Sequence, residues 1–581
     1  MKFNIFNSVP ARAPKRSAFS LSHDSKLTFE MGQLIPIFCE PVIPSDRLQL
    51  SSQHLIRFAP LQAPIMSNVD VYVHYFFVPN RLIWKDWETF ITGSKNGHKL
   101  EESDVPLPPF TLIPPSRLND NGQGSAGDSS FAYNGNNPRI LENRSLADYL
   151  DFQTWKKADL QSLASTANGQ PYPIDELPFR AYQRIWFDYY RDENLNYEYN
   201  LDNLFKDHSG NQTLNDSVAT IDNYRLFALR QRSWRKDYFT SALPFAQAGD
   251  DVLIPGGISV DPDSQLFIQG ICGLSLSSSS SSVPTNQYLD VTARFNDPKS
   301  ADLYVDNGNG KVSTTYHSVS LLSGSQFNEF ANSGASEGTI RELRRAFAAQ
   351  KFLERRAIGG TRYNEMIRSF FGVVTSDARI QRAEFLGGMK QPVVISQILQ
   401  TSESTETSPL GQPAGNAVSA GGKYVFDRTF EEYGFVIGIM SVMPRAEYMN
   451  GIPRKYQRKD VYDYYWPQFA RIGEQPIYNS ELYFDPAAQE SVNSGTFGYT
   501  PRYAEYRFCN NRIHGDFKDT LSFWHLGRSF DFTPSLNDSF ISCRPSTRIY
   551  AYEGQEYNHL WCDIHFNIKS LRPLPKYGES I

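Results

Sequence analysis

A strict two-residue alternation near the C-terminus constrains the fold more than any other feature of this chain. The apolar positions are Leu560, Cys562, Ile564, Phe566 and Ile568. The positions between them are Trp561, Asp563, His565, Asn567 and Lys569. Because successive side chains of a strand point to opposite faces, this segment predicts a strand with one buried face and one solvated face. Such strands are typical of antiparallel sheets.

Two further runs also predict strands. Val69–Val78 and Phe435–Met443 are dense in β-branched and aromatic residues. From Tyr72 onward the first run is mostly apolar on both faces, which indicates a strand buried on both sides. The chain is 14% aromatic and holds 38 Gly and 35 Pro, a composition typical of β-sheet joined by long loops. We therefore expect a mainly β fold.

Only two helices are predicted with clear signals. Asp175–Leu195 carries apolar side chains at helical spacing. The second helix starts at a capping box formed by Thr339 and Glu342, and Gly359–Gly360 ends it. Its expected apolar stripe consists of Ile340, Leu343, Ala346, Phe347 and Leu353.

Charge and cysteine content narrow the class of protein. The 581 residues have a formal net charge of -6, which argues against a globally basic nucleic-acid binder but leaves room for local basic patches. The five cysteines are widely spaced without a C-x-x-C motif, so we expect reduced thiols. The N-terminus lacks the apolar core of a signal peptide, and Phe435–Met443 is too short to span a bilayer. These features predict an intracellular, soluble chain.

Composition divides the chain into four parts. Residues 1–20 form a basic arm, 21–248 and 339–581 form the main β structure, and 249–338 form an insertion. The insertion holds ten acids and three bases, a balance of -7, together with six consecutive serines and the turn-forming Asp306–Gly310. We expect it to be a solvent-facing, hairpin-like segment. Residues 118–138 and 401–422 are expected to be smaller polar loops.

The motifs of common enzymes are weak in this chain. Gly334–Gly338 matches G-x-S-x-G around Ser336, but no buried strand precedes it as a nucleophile elbow requires. His559 and His565 are expected on one strand face about 20 Å apart, too far to share an ion, and Asp563 beside His565 lacks further ligands. We predict no catalytic, cofactor or metal site and no enzymatic activity. A hydrolase using Ser336 is kept as a lesser alternative.

Basic clusters are the remaining candidates for function. Arg454, Lys455, Arg458 and Lys459 precede an aromatic run, and bases beside aromatics suit single-stranded nucleic acid. The N-terminal arm supplies four more candidate cations: Lys2, Arg12, Lys15 and Arg16. Two other clusters lie at 225–236 and 341–356. Acids are interspersed among the clusters, so ion pairs at subunit interfaces explain them equally well.

Several long motifs together resemble one virus family. They are Leu177–Trp186, Trp234–Pro244, Glu354–Tyr363, Asp463–Pro467 and Arg502–Arg507. In this order, and over nearly the whole chain, they are similar to the major capsid protein of the Microviridae, single-stranded DNA bacteriophages, and specifically to its gokushovirus branch.

The resemblance implies an eight-stranded antiparallel jelly roll with long loop insertions. It implies a T=1 icosahedral shell of identical subunits around circular single-stranded DNA, assembled in the bacterial cytoplasm. The implied partners are a small basic DNA-binding protein, an internal scaffolding protein, a minor pilot protein and a host surface receptor.

The resemblance also implies that an insertion at 249–338 forms a protrusion at the three-fold axes and meets the host. Its candidate host-facing residues are Ser277, Ser278, Asp306, Asn307 and Gly308. The charge split suggests that this acidic insertion faces outward and the basic arm inward, toward DNA. A soluble glycan-binding β-sandwich shares the same composition and is kept as the alternative.

Overall fold

The computed structural model describes residues 15–577 with interruptions. The gaps are 96–97, 116–117, 119–138, 165–168, 197–200, 202–204, 206–209, 214–224, 250–293, 298–299, 303, 307–310, 314–339, 361, 400–412 and 555. The chain divides into a larger unit, 1–248 with 354–581, and a smaller unit, 249–353.

Strands make up most of the regular structure among the described residues of the two units together. In chain order the strands are β1 Ser17–Ser20, β2 His23–Phe29, β3 Ile35–Val42, β4 Arg47–Phe58, β5 Val69–Pro79, β6 Ser94–Lys95, β7 His98–Lys99, β8 Phe110–Ile113, β9 Tyr172–Asp175, β10 Asn211–Thr213, β11 Arg294–Asp297, β12 Ser300–Asp302, β13 Tyr304–Asp306, β14 Lys311–Ser313, β15 Glu384–Pro392, β16 Val394–Leu399, β17 Pro413–Thr429, β18 Gly434–Pro444, β19 Glu474–Tyr478, β20 Thr496–Pro501 and β21 Leu560–Arg572.

Helices are mostly short. They are α1 Trp87–Thr92, α2 Leu146–Tyr149, α3 Lys157–Ala164, α4 Leu177–Ile185, α5 Ile340–Gly359, α6 Tyr363–Phe371, α7 Asn479–Leu482, α8 Glu490–Asn493 and α9 Asp538–Ile541. A π-helical turn, Trp186–Tyr190, extends α4. The predicted helix Asp175–Leu195 is therefore shorter at both ends than expected. No helix among the described residues combines the length and the apolar character needed to cross a bilayer.

Two antiparallel sheets form the core of the larger unit. The first has the order β1-β21-β4-β17-β16, and β2 also pairs with β21; the second has the order β15-β5-β18-β3. The mainly β fold class with antiparallel sheets is confirmed and is consistent with a jelly roll. The two sheets hold more strands than the expected eight, because β1 and β2 follow one another along the same edge and β16 adds a strand at the other edge.

The main apolar core brings together residues of both sheets. Leu50 and Ile564 come from the first sheet, and Val71 and Met440 come from the second. The Tyr75 hydroxyl of the second sheet donates to Ser52 Oγ of the first at 2.9 Å, which satisfies both buried polar groups. Strand β21 alternates between buried and exposed residues along nearly its full length, as predicted.

Strand β5 is buried on both faces because a second core covers its outer side. Phe76 and Val78 pack there with Phe179 and Tyr182 of α4. Next to this core, Arg180 and Glu176 form a fully buried ion pair at 2.8 Å. The strands predicted at Val69–Val78 and Phe435–Met443 are confirmed as β5 and β18.

The smaller unit contains two pairs of short antiparallel strands in its described part, β11 with β12 and β13 with β14. Residues 307–310 of the turn predicted at Asp306–Gly310 lie outside the described residues. Most of α5 also belongs to this unit. Thr339 of the predicted capping box lies outside the described residues. In the predicted stripe of α5, Ile340 and Phe347 are exposed in the single chain.

Three sequence expectations are corrected by the fold. Ser17–Ser20 of the expected arm forms β1, because its backbone pairs with Lys569–Arg572. Residues 413–422 of the expected loop belong to β17, since this Gly- and Ala-rich stretch pairs with both β16 and β4. His559 and His565 do not share a strand face: His559 precedes β21 and is buried against Glu30, whereas His565 is exposed beside Asp24.

Candidate nucleic-acid interface

A third apolar cluster supports a small pocket in the larger unit. Tyr238, Phe239, Leu482 and Phe497 belong to this cluster, which also includes residues of β19 and α9. The loop after β18 crosses it at Gly451, where a β-carbon would collide with the carbonyl oxygen of Glu481. Glycine is required there because the two backbones approach so closely. This close approach places the residues that follow, including Arg454 and Lys455, at the pocket.

The pocket has an aromatic floor and a basic rim. Its volume is about 110 Å³. Tyr238, Phe239, Tyr448, Phe508 and Ile513 provide the apolar lining. Lys455, Arg512, His514 and Lys518 also line it, and all four are exposed.

Glu481, one of two acids in the pocket wall, is already paired with a cation of its own chain. Glu481 has a side chain only 2% exposed, and it accepts hydrogen bonds from the Tyr238 hydroxyl at 2.9 Å and from Arg454 Nη1 at 3.1 Å. The Tyr478 amide donates a third bond to it at 3.0 Å. Burial raises the pKa of Glu481, and the charge of Arg454 opposes that rise. Arg454 therefore neutralises a buried carboxylate of its own chain.

Arg458 is likewise paired with the second acid of the pocket wall, Glu505. Its guanidinium lies 3.8 Å from Glu505 and stacks over the ring of Tyr506, 4.5 Å from the centroid. Gln475 Nε2 donates to the other oxygen of Glu505 at 2.9 Å. Both charged side chains are mostly buried. Arg458 is thus held by the fold of its own chain.

The two lysines of the same cluster have the opposite surroundings. Lys455 is exposed, and its ammonium lies 4.9 Å from the centroid of the Tyr456 ring. Lys459 lies 3.8 Å from Glu490, but both side chains are more than four-fifths exposed. Such an exposed pair leaves the lysine charge largely available to a ligand.

An exposed aromatic surface continues from the cluster. Tyr456 is 71% exposed, and several neighbours are also largely exposed. These neighbours are Val461, Tyr462, Tyr464, Tyr465 and Trp466. An apolar surface of this kind on a chain marks an interaction site.

Arg512, His514 and Lys518 of the rim were missed from the sequence. They come about sixty residues after Lys455 and are separated by Asp516 and uncharged residues, so no local charge run marks them. The 3₁₀ turn Gly515–Lys518 and the bridge between Arg512 and Tyr448 bring them to the pocket. A sequence search for cations flanking the motif Arg502–Arg507 could have found them.

The other predicted site residues are placed as follows. Lys15 and Arg16 precede β1 and are exposed, whereas Lys2 and Arg12 lie outside the described residues. Asp306 ends β13, and Ser277, Ser278, Asn307 and Gly308 lie outside the described residues, as does Ser336.

One of the two remaining basic clusters and four of the five cysteines are located as follows. In the cluster at 225–236, Arg230 is buried over Trp186 and Arg232 donates to Ser441 Oγ at 2.7 Å. Cys39, Cys509, Cys543 and Cys562 are free thiols, and no three metal-ligating side chains converge among the described residues.

Two-sheet antiparallel jelly rolls occur in viral coat proteins, and exposed aromatic side chains are enriched at protein–protein interfaces, so the fold and this surface fit a protein that assembles with other subunits. The family model described as "Capsid protein (F protein)" matches residues 7–125 and 129–581. The chain therefore belongs to the F capsid protein family of bacteriophages. This confirms the resemblance to the Microviridae and to the gokushovirus branch.

Individual relatives support the same assignment. The chain is 34% identical to capsid protein VP1 of Chlamydia phage 1, over 99% of this chain and 97% of the relative. It is 30% identical to capsid protein VP1 of Bdellovibrio phage phiMH2K and 27% identical to that of Spiroplasma virus 4, in each case over 99% of this chain and 96% of the relative. It is thus a structural protein of the virion and not an enzyme. The family assignment displaces the hydrolase and the glycan-binding alternatives.

Proposed function

We propose that this chain assembles with copies of itself into a T=1 icosahedral shell that encloses circular single-stranded DNA. The observation that carries the proposal is the match to capsid proteins over almost the whole chain. The aromatic surface at 456–466 adds support, because assembly interfaces are enriched in Tyr, Trp and Phe. A closed shell multiplies many modest contacts of this kind.

Expression of the full chain tests this proposal. Sizing chromatography and negative-stain images should reveal megadalton, uniform shells when the chain is made with its implied partners. These are the scaffolding protein, the pilot protein and the small basic DNA-binding protein. Assembly is expected in the host cytoplasm, and shells from infected cells should contain nuclease-protected single-stranded DNA. A chain that stays monomeric under all these conditions would contradict the proposal.

The basic residues are proposed to face the packaged DNA. Lys2, Arg12, Lys15 and Arg16 would reach inward, together with Lys455 and Lys459. Arg454 and Arg458 are assigned a different part in the same interface: they hold the loop that presents the two lysines, because their own charges are paired.

The insertion 249–338 is proposed to face outward at the three-fold axes and to contact the host receptor. The charge of -7 supports this placement, since acidic residues are repelled by DNA. Ser277, Ser278, Asp306, Asn307 and Gly308 are its candidate contact residues. Deletion of residues 270–310 should abolish adsorption to the host while shells still form. Unchanged adsorption, or a particle map with the insertion in the lumen, would contradict the assignment.

A further inference from the structure

The pocket beside Arg454 has an uncompensated positive rim. Within the described part of the chain, no salt bridge involves Lys455, Arg512, His514 or Lys518. The two acids of the wall, Glu481 and Glu505, are bound by Arg454 and Arg458 as described above. A ligand entering the pocket therefore meets free cations, and this favours an anion.

The interior of the pocket favours a flat, partly apolar group. Phe508 is 45% exposed and lines the pocket with Tyr238, Phe239 and Tyr448. A water molecule takes up about 30 Å³ in the liquid, so a volume of about 110 Å³ accommodates part of a planar ring as well as several waters. An aromatic wall beside free cations is the combination by which proteins hold single strands: the bases stack and the phosphates are neutralised.

We propose that this pocket binds one nucleotide of single-stranded DNA, with its base against Phe508 and its phosphate at Lys455, Arg512 and Lys518. The inference rests on the proposed enclosure of DNA and adds the residues that hold it. A paired base is stacked within a duplex and its flat face is not available to a side chain, so the site selects single strands.

Filled particles and matched variants test the proposal. The pocket variant carries Lys455→Ala, Arg512→Ala and Lys518→Ala. The control carries Lys95→Ala, Lys99→Ala and Lys423→Ala, three exposed cations away from the pocket with the same loss of charge. Ultraviolet cross-linking of wild-type particles should attach nucleotides to the segment 505–514. The pocket variant should contain less nuclease-protected DNA per shell than the control.

Oligonucleotide binding by full-length subunits provides the second measurement, which does not depend on shell formation by the variants. For an oligothymidylate, the slope of log affinity against log salt should fall by about 0.7 in the pocket variant, since the three cations together hold one phosphate and each phosphate contact on a single strand contributes roughly 0.7. Phe508→Ala should weaken oligothymidylate binding about tenfold and leave an abasic strand of the same length unaffected. Competition by thymidine monophosphate, but not by inorganic phosphate, should distinguish a nucleotide from a bare anion.

The outcomes distinguish the assignment of this pocket from the proposal that the shell encloses single-stranded DNA. Cross-links confined to other segments, equal binding by pocket variant and control, or equal affinity of wild type for normal and abasic strands would overturn the pocket assignment. Wild-type shells with protected DNA would still support the proposed function in those cases. Wild-type shells that never contain DNA would overturn the enclosure of DNA itself.

Discussion

The loop 454–459 contains two kinds of cation that look alike in the sequence. Arg454 and Arg458 are mostly buried, and each is paired with a carboxylate of the same chain. Lys455 and Lys459 are exposed and largely free. The first pair maintains the shape of the loop, and the second pair provides charge to a ligand. A basic cluster therefore indicates a binding site only through those cations that are not already paired with carboxylates of the same chain.

The largest loss of stability should come from breaking the buried ion pair between Arg454 and Glu481. Glu481→Ala leaves Arg454 buried without its carboxylate and should lower the free energy of unfolding by about 3–5 kcal/mol. Lys455→Ala, at the neighbouring position, should change it by less than about 0.5 kcal/mol. Urea unfolding of dissociated subunits, followed by tryptophan fluorescence, measures both. Equal effects of the two substitutions would remove the distinction between paired and free cations.

A smaller difference in stability is expected between the alanine substitutions of Arg458 and Lys459. Arg458→Ala removes an ion pair and a stacked guanidinium, and should cost about 1–3 kcal/mol of stability. Lys459→Ala removes only an exposed pair and should cost about 0–0.5 kcal/mol. The same unfolding measurement applies. A costly Lys459→Ala would indicate that the exposed pair with Glu490 contributes to the fold.

A prediction of a different kind, on the pH dependence of stability, concerns Glu474, which unlike Glu481 forms no salt bridge within the described residues. Both oxygens of Glu474 are buried without a hydrogen-bond partner among the described residues. Burial, with a contribution from Glu354, raises the pKa of Glu474 from 4.5 to about 7, and Arg507 only partly opposes this. The folded state keeps this proton at pH values where the unfolded state has released it, so stability should fall as pH rises from about 4.5 to about 7.

Glu474→Gln tests that pH dependence, because an amide cannot release the proton. The variant should lose part of the decrease in unfolding free energy between pH 5 and pH 8. Glu490→Gln, at a side chain that is 88% exposed, is the control and should retain the wild-type profile. If both variants follow the wild type, Glu474 titrates normally.

The strands that could be predicted are those whose side chains report burial directly. Strand β21 alternates, and β5 and β18 are continuously apolar, so the sequence marks them. The first part of β17 was missed because its Gly and Ala residues carry little side-chain signal, although backbone pairing to both neighbours defines it. Strand β1 was missed because the four cations of residues 1–20 indicated a basic arm, and only pairing with the distant edge of β21 makes Ser17–Ser20 a strand.

The site was predictable only in part. Local composition identified Lys455 and Lys459 as candidates, but it identified Arg454 and Arg458 equally. The two arginines are neutralised by Glu481 and Glu505, which lie farther along the chain. The rim at Arg512 and Lys518 depends on how the segment 448–455 packs beside 508–518. Contacts between distant segments leave no periodicity in the sequence, and this is why the pocket could not be predicted.

The position of β21 within its sheet sets a condition on biosynthesis. Residues 560–572 lie between strands formed by 17–29 and by 47–58. Strands β1, β2 and β4 therefore cannot complete their pairing until the ribosome has synthesised β21, several hundred residues later in the chain. The sheet forms in full only after that point of translation. A chain that terminates before residue 560 lacks the strand that holds β1 and β2 in the sheet beside β4.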